Sequence, residues 1–204
     1  MSNGANHNCR AAEAAVSAAD PRAYAGEMPA TTEAIRHIYV HIPFCARICP
    51  YCAFYKDLLD RSQTSRFCEA LLREMVGRDH RARRLLLSTI YFGGGTPTAL
   101  NVAQLDLLLR GFRETLDLSQ LVEWTIEANP GSVSSRKAAV LKKFGVNRIS
   151  LGVQSWDEEL LELLGREHKA QQAKESFRIL RDAGFTTINV DLMFGLPGQT
   201  VDQW

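Results

Sequence analysis

The chain lacks any apolar run approaching the eighteen or so residues that a bilayer-spanning helix needs. It also lacks an apolar secretory segment. Charge of one sign is scarce: 24 Lys and Arg against 23 Asp and Glu leave a net charge of +1, which gives no electrostatic case for nucleic acid or an anionic membrane. Cysteine is sparse and odd in number, at five, which argues against a disulfide framework. Reduced thiols in a cytoplasmic setting fit this usage better. The glycine-rich stretch has neither the Gly-Lys-Ser/Thr ending of a phosphate loop nor the spacing of a dinucleotide fingerprint. What remains is an ordinary globular balance, 46% hydrophobic and 23% charged, long enough for one sizeable domain.

Three of the five cysteines are crowded together. Cys45, Cys49 and Cys52 lie in His41-Ile-Pro-Phe-Cys-Ala-Arg-Ile-Cys-Pro-Tyr-Cys-Ala-Phe54, spaced C-x3-C-x2-C. Three thiolates so close can hold one corner of an iron–sulfur cube. A 4Fe–4S cluster normally takes four cysteines, so three leave one iron open to a ligand that is not protein. An open iron points to chemistry rather than simple electron transfer. The competing reading is zinc, with His41 or His37 as a fourth ligand; it is weakened because both histidines fall in an apparent strand before the loop. Cys9 sits in a low-complexity leader, and Cys68 has the helical neighbours Phe67, Leu71, Leu72 and Met75, so it reads as core.

Residues 1–33 are alanine-rich without a sustained apolar period and read as a mobile leader, with a short helix near Ala11–Ala19. From there to Trp204, β-rich runs alternate with longer helical periods, the signature of βα units and a parallel sheet. The expected strands are 36–42, 87–93, 122–128, 147–153 and 186–192. Helices are expected over 62–80, 101–114, 134–144, 157–164 and 170–183, with Asn101 and Ser134 as starts and Gly184 as a stop. The basic run Arg78–Arg84 reads as a solvated helix end.

Strands covered on both sides usually run continuously apolar, but these alternate. Ile38, Val40 and Ile42 oppose His37, Tyr39 and His41; Val122, Trp124 and Ile126 oppose Glu123, Thr125 and Glu127. Ile149, Leu151 and Val153 oppose Arg148, Ser150, Gly152 and Gln154; Ile188, Val190 and Leu192 oppose Thr187, Asn189 and Asp191. With the apolar set under helices, a polar face must line something, which predicts a βα barrel with a working interior. The cysteine loop, Gly93-Gly-Gly-Thr-Pro97, Glu127-Ala-Asn-Pro130, Gln154-Ser155 and Asp191 all fall at strand C-terminal ends, where such barrels assemble their sites. The triple glycine strips side chains so that a ligand can approach the backbone. Glu127 and Asp191 suit ribose hydroxyls or a ligand cation, and Arg166 suits a carboxylate. His168 alone says little, and Trp156 and Trp204 read as packing.

On these residues the chain resembles the radical S-adenosylmethionine (SAM) superfamily. Within it, the chain is similar to the branch of the HemW heme chaperones and oxygen-independent coproporphyrinogen III oxidases (dehydrogenases). The landmarks are Tyr-Val-His-Ile-Pro-Phe-Cys, Phe-Gly-Gly-Gly-Thr-Pro-Thr, Glu-Ala-Asn-Pro-Gly, Leu-Gly-Arg-Glu-His and Asn-Val-Asp-Leu-Met-Phe-Gly-Leu-Pro-Gly-Gln-Thr, spread from Ile38 to the last residue. The resemblance implies a partial (β/α)6 TIM-like barrel with its first five βα units over 34–204, the sixth unit and a C-terminal domain being absent. It implies a 4Fe–4S cluster on Cys45, Cys49 and Cys52, with SAM on the open iron. SAM contacts carry over to Tyr39, Tyr51 (through its backbone), Gly94, Gly95, Thr96, Glu127, Gln154, Arg166 and Asp191.

Reduction of the cluster would cleave SAM to methionine and a 5′-deoxyadenosyl radical. Expected partners are heme or a porphyrin, an electron donor such as flavodoxin or ferredoxin, and heme-receiving proteins. The decarboxylating oxidases carry a further cysteine two residues after the third, where this chain has Phe54. That favours a heme chaperone over an enzyme converting coproporphyrinogen III to protoporphyrinogen IX. Heme-opening radical SAM methyltransferases form a third option in the same branch.

Overall fold

The computed structural model describes residues 34–77 and 85–204; the leader, Cys9 and the basic run Arg78–Arg84 lie outside them. Five strands form one parallel sheet: β1 (Ile35–Ile42), β4 (Leu85–Gly94), β5 (Glu123–Ala128), β6 (Arg148–Gln154) and β7 (Thr187–Leu192), side by side in chain order. Between them run α1 (Arg61–Gly77), α2 (Val102–Thr115), α3 (Ser135–Lys143), α4 (Glu158–Leu163) and α5 (Ala170–Asp182). Parallel crossovers are almost always right-handed. A sheet wound steadily in one direction therefore puts every crossover helix on the same face and leaves the other face free. The free polar face is the one that the alternation predicts, and the five βα units are those that the resemblance implies.

Each expected strand and helix is present, with its described ends within two residues of the expected ones; positions 78–80 of the first expected helix lie outside the described residues. The capping signals hold. Asn101 and Gln104 form a reciprocal capping box at the start of α2, at 2.9 and 3.0 Å. Ser134 accepts from the Lys137 N–H at α3. Gly184, at φ +84°, ends α5 as only glycine does cheaply. The expectation missed a two-stranded pair, β2 (Phe44–Cys45) with β3 (Asp57–Leu58), which is too short to show a period. That pair closes the cysteine loop on itself: Asp57 N–H donates to Pro43 and Leu59 N–H to Cys45, each at 2.8 Å.

The core lies between the outer sheet face and the helices. Val40, Ile42, Ile90, Phe92, Trp124, Ile126, Ile149, Leu151 and Val153 are buried there against Leu105, Leu108, Leu109, Phe112 and Leu141. Phe92, Phe112 and Trp124 meet ring to ring at 5.0–6.3 Å, adding edge-to-face attraction to burial. Cys68 is fully buried, as expected of core. Two expectations fail. Val122 lies just before β5, donates its N–H to the Ser88 carbonyl, and is exposed instead of packing under the helices. Trp156 and Trp204 are also exposed, and the Trp204 ring meets the exposed Phe194 at 5.6 Å.

Candidate functional site

Register fixes which polar side chains share the inner face. Tyr39 pairs with Tyr91, Tyr91 with Thr125, Glu127 with Ser150, and Gly152 with Asp191 across consecutive strands. A lower tier is tied to itself: His37 with Thr89 at 2.8 Å, and Glu123 with Thr125 and Arg148 at 2.8 and 3.1 Å. The upper tier opens into a cavity of about 520 Å³ at the strands' C-terminal ends. Cys45, Cys49 and Cys52 line it, as do Tyr51, Gly94, Gly95, Thr96, Glu127, Gln154, Arg166 and Asp191. Of the carried-over residues only Tyr39 is outside its wall. It is more than half exposed, donates or accepts across 3.1 Å to His41 Nδ1, and stacks on Tyr91 at 6.0 Å.

Glu127 is held at both oxygens: the Tyr91 hydroxyl donates at 2.8 Å and the Gly94 N–H at 3.1 Å. Burial pushes its pKa up while those two donors pull it down. Asp191 accepts from Ser150 and, at 2.6 Å, from Asn189. Arg166 leaves the α4–α5 connection to donate to the Gly152 carbonyl at 2.7 Å and, with its other nitrogen, to Tyr51 Oη at 3.4 Å and Cys49 Sγ at 3.6 Å. Its Nε is buried and unpartnered. Cys45 Sγ lies 3.7 Å from Thr96 Oγ1, and burial and the neighbouring thiols raise its pKa.

The triple glycine serves the protein's own packing first. A Cβ at Gly93 would lie 2.8 Å from Tyr91 and 3.0 Å from Glu127; Gly94 has φ +110°, and its Cβ would strike the His41 ring. The space won by omitting side chains is filled by the residues that aim Glu127. Gln154 is the one described non-glycine residue in the left-handed region, at φ +72°, where β6 breaks register with β7. Such strain collects at functional positions.

The sequence reading passed over three participants. Tyr91 follows from alternation before the glycines, but nothing in the sequence shows its reach to Glu127, 36 positions on. His168 says little in the sequence alone, yet it is 3% exposed, donates from Nε2 across 3.0 Å to the Val153 carbonyl, and leaves Nδ1 unpartnered. Because a carbonyl only accepts, Nε2 carries the proton. Burial, then Arg166, pushes its pKa down to about 4. Lys137, in the cavity wall, left no signal beyond helix periodicity.

The donor set fits the implied cofactors. Three free thiols on one short loop face a polar cavity. Thiolates bound to separate irons of a cube need not converge on one point, and among the described residues no three His, Cys, Asp or Glu side chains do. An acid pair and a guanidinium stand on the same wall, as an aminoacyl and ribose ligand would require.

Comparison with known proteins gives concordant results. Residues 39–204 match the family described as the radical SAM superfamily. The chain is 43% identical over 171 residues to the heme chaperone HemW of Bacillus subtilis (strain 168), covering 82% of this chain and 44% of that protein. It is 36% identical over 171 residues to the oxygen-independent coproporphyrinogen III oxidase of Pseudomonas aeruginosa, covering 82% and 37%. The solved structure of coproporphyrinogen III oxidase from Escherichia coli superposes with a TM-score of 0.76 at 33% identity, covering 86% of this chain and 41% of that one. The chain thus spans less than half the length of these relatives.

Proposed function

The chain belongs to the radical SAM superfamily, and from that premise we propose that it is part of a HemW-like heme chaperone, binding SAM and carrying heme as cargo. Membership implies a 4Fe–4S cluster and SAM. We assign the cluster to Cys45, Cys49 and Cys52, and SAM to Tyr51, Gly94, Gly95, Thr96, Glu127, Gln154, Arg166 and Asp191. The observation that carries this is the convergence on one cavity of three free thiols from the loop after β1, Glu127 at the end of β5 and Arg166 from the α4–α5 connection. Tyr39 takes part by stacking on Tyr91, which fixes Glu127.

When bound, the cluster would supply one electron to SAM and so a carbon radical. The protein's own residues bind, orient and exclude water. Glu127, fixed by Tyr91 and Gly94, offers a carboxylate to an ammonium. Arg166, anchored on Gly152, brings its guanidinium to the cavity wall and spans toward the cysteine loop. Asp191, pre-set by Ser150 and Asn189, suits hydroxyl groups. All three side chains are already held by protein partners, the arrangement from which preorganisation gains its advantage.

The second reading is coproporphyrinogen III oxidation, supported by the likeness to the oxidases of that name. Phe54 argues against it, standing exposed at the cavity rim where those enzymes resemble the loop but add a cysteine. Cytoplasmic residence, an electron donor of the flavodoxin or ferredoxin kind and heme-receiving proteins belong to the same proposal. A heme titration run beside a coproporphyrinogen III turnover assay, both with reduced cluster and SAM, separates the readings. Heme binding without turnover is expected; robust turnover would overturn the chaperone reading.

A further inference from the structure

Strand β6 does not run straight into the site. Its register with β7 steps from Gly152 opposite Asp191 to Gln154 opposite Leu192, and its register with β5 stops at Leu151. Val153 therefore has no counterpart on either neighbour. An extra residue of this kind is a β-bulge, left out of the ladder and able to re-aim a side chain beside a site. The next side chain is Gln154, at φ +72°. A non-glycine residue keeps such a backbone only where its surroundings fix it.

Three successive carbonyls do the fixing. Arg166 Nη2 donates to Gly152 at 2.7 Å, His168 Nε2 to Val153 at 3.0 Å, and the Met193 N–H to Gln154 at 2.9 Å. The middle bond bears most directly on Gln154. The Val153 carbonyl lies in the planar peptide unit that enters Gln154, so holding it holds φ. His168 is buried, which keeps competing water from the ring. With that peptide fixed, the Gln154 side chain returns to the inner face. Its Nε2 lies 3.0 Å, and Arg166 Nη2 3.7 Å, from the point where a Cβ on Gly152 would stand. Amide and guanidinium share the space that Gly152 leaves, and both residues line the cavity. The holder is itself held: Gly165, at φ +66°, brings the α4–α5 connection so close to Pro50 that a Cβ would lie 3.0 Å from the proline Cδ. One connection thus ties the cysteine loop to the bulge.

We propose that His168 is a positioning residue: by holding the Val153 carbonyl of the bulge, it fixes the left-handed turn at Gln154 and sets that side chain in the cavity for SAM. This rests on the reading of the cavity as a SAM site. Although the ring borders the cavity, Nε2 is spent on Val153 and Nδ1 is buried, so His168 acts through Gln154 and not on the ligand.

The test compares His168→Phe, which keeps a ring without a donor, with His168→Gln, whose amide reaches the Nε2 position. His168→Asn, whose shorter amide stops before it, serves as the donor-free variant should the phenyl ring not fit. Gln154→Gly removes the side chain and takes the left-handed backbone freely. SAM affinity is measured by equilibrium dialysis on the 204-residue chain with reconstituted cluster. Hydrogen exchange at the Met193 amide, which bonds the Gln154 carbonyl, is measured on the cluster-free chain. Each donor-free variant should weaken SAM binding about tenfold, the order of one hydrogen bond, with iron content unchanged, and His168→Gln should restore it. In the Gln154→Gly background, loss of the His168 donor should add less than about twofold, since both changes remove one interaction. The Met193 amide should exchange about tenfold faster in the donor-free variants and at the wild-type rate in His168→Gln. Wild-type affinity in the donor-free variants, or a full tenfold loss in the Gln154→Gly background, would overturn the role. Wild type that binds no SAM would overturn the reading of the cavity. Unaltered exchange at Met193 would overturn the hold on the turn, whatever the cavity binds.

Discussion

At the scale of single residues, the site depends on groups held at two points at once. Arg166 spans from Gly152 to Tyr51 and Cys49, and a lysine cannot make both contacts from one point charge. Arg166→Lys should therefore weaken SAM binding at least tenfold, about 1.4 kcal/mol, while iron content holds. Equal affinity by dialysis would remove Arg166 from the site. His168 gives a pH signature. Its folded pKa of about 4 lies below the ordinary value of 6.5, so the unfolded chain binds the extra proton. Its contribution is complete above pH 6.5 and is lost as pH falls toward 4. Each pH unit of that window is worth ~1.4 kcal/mol. Wild type should lose roughly 2 kcal/mol more between pH 7 and 5 than His168→Gln, which keeps a donor for Val153. Parallel urea midpoints in the two proteins would refute the assignment.

At the scale of elements, much was legible because each feature has a local period or stop. Alternation in Ile38–Ile42 and Ile149–Val153 gave the strand faces, and Asn101 with Gln104 gave a helix start. Asn101→Ala should cost about 1 kcal/mol in urea melts, since it removes one of two reciprocal bonds; no change would show the cap idle. What stayed hidden involves partners distant in sequence or elements too short to have a period. The β2–β3 pair that shapes the cysteine loop has two residues a side. The bond from Tyr91 to Glu127 and the left-handed Gln154 depend on how neighbouring strands are registered. The triple glycine was readable as a place for close approach, but not that Tyr91, His41 and Pro43 make the approach.

At the scale of the molecule, a sheet wound in one direction gives a core on its helix side and a polar site on the other. It also leaves β7 as an edge of the described sheet, with Ile188 and Val190 only half-buried and Leu192 and Phe194 exposed. Edges with apolar side chains invite pairing. The 204-residue chain should associate with rising concentration, and Leu192→Lys should reduce this in sedimentation velocity runs. A monomer at all concentrations would contradict that reading of the edge.

The central claim, that Cys45, Cys49 and Cys52 hold a cluster with one iron left to SAM, has a direct test. Anaerobic reconstitution followed by iron and sulfide analysis and EPR of the reduced protein, with and without SAM, should give about four irons per chain and a signal that SAM shifts. Alanine at any of the three should abolish both, while Cys68→Ser leaves both intact. Stoichiometric zinc in protein purified without oxygen, or a cluster signal indifferent to SAM, would contradict the account.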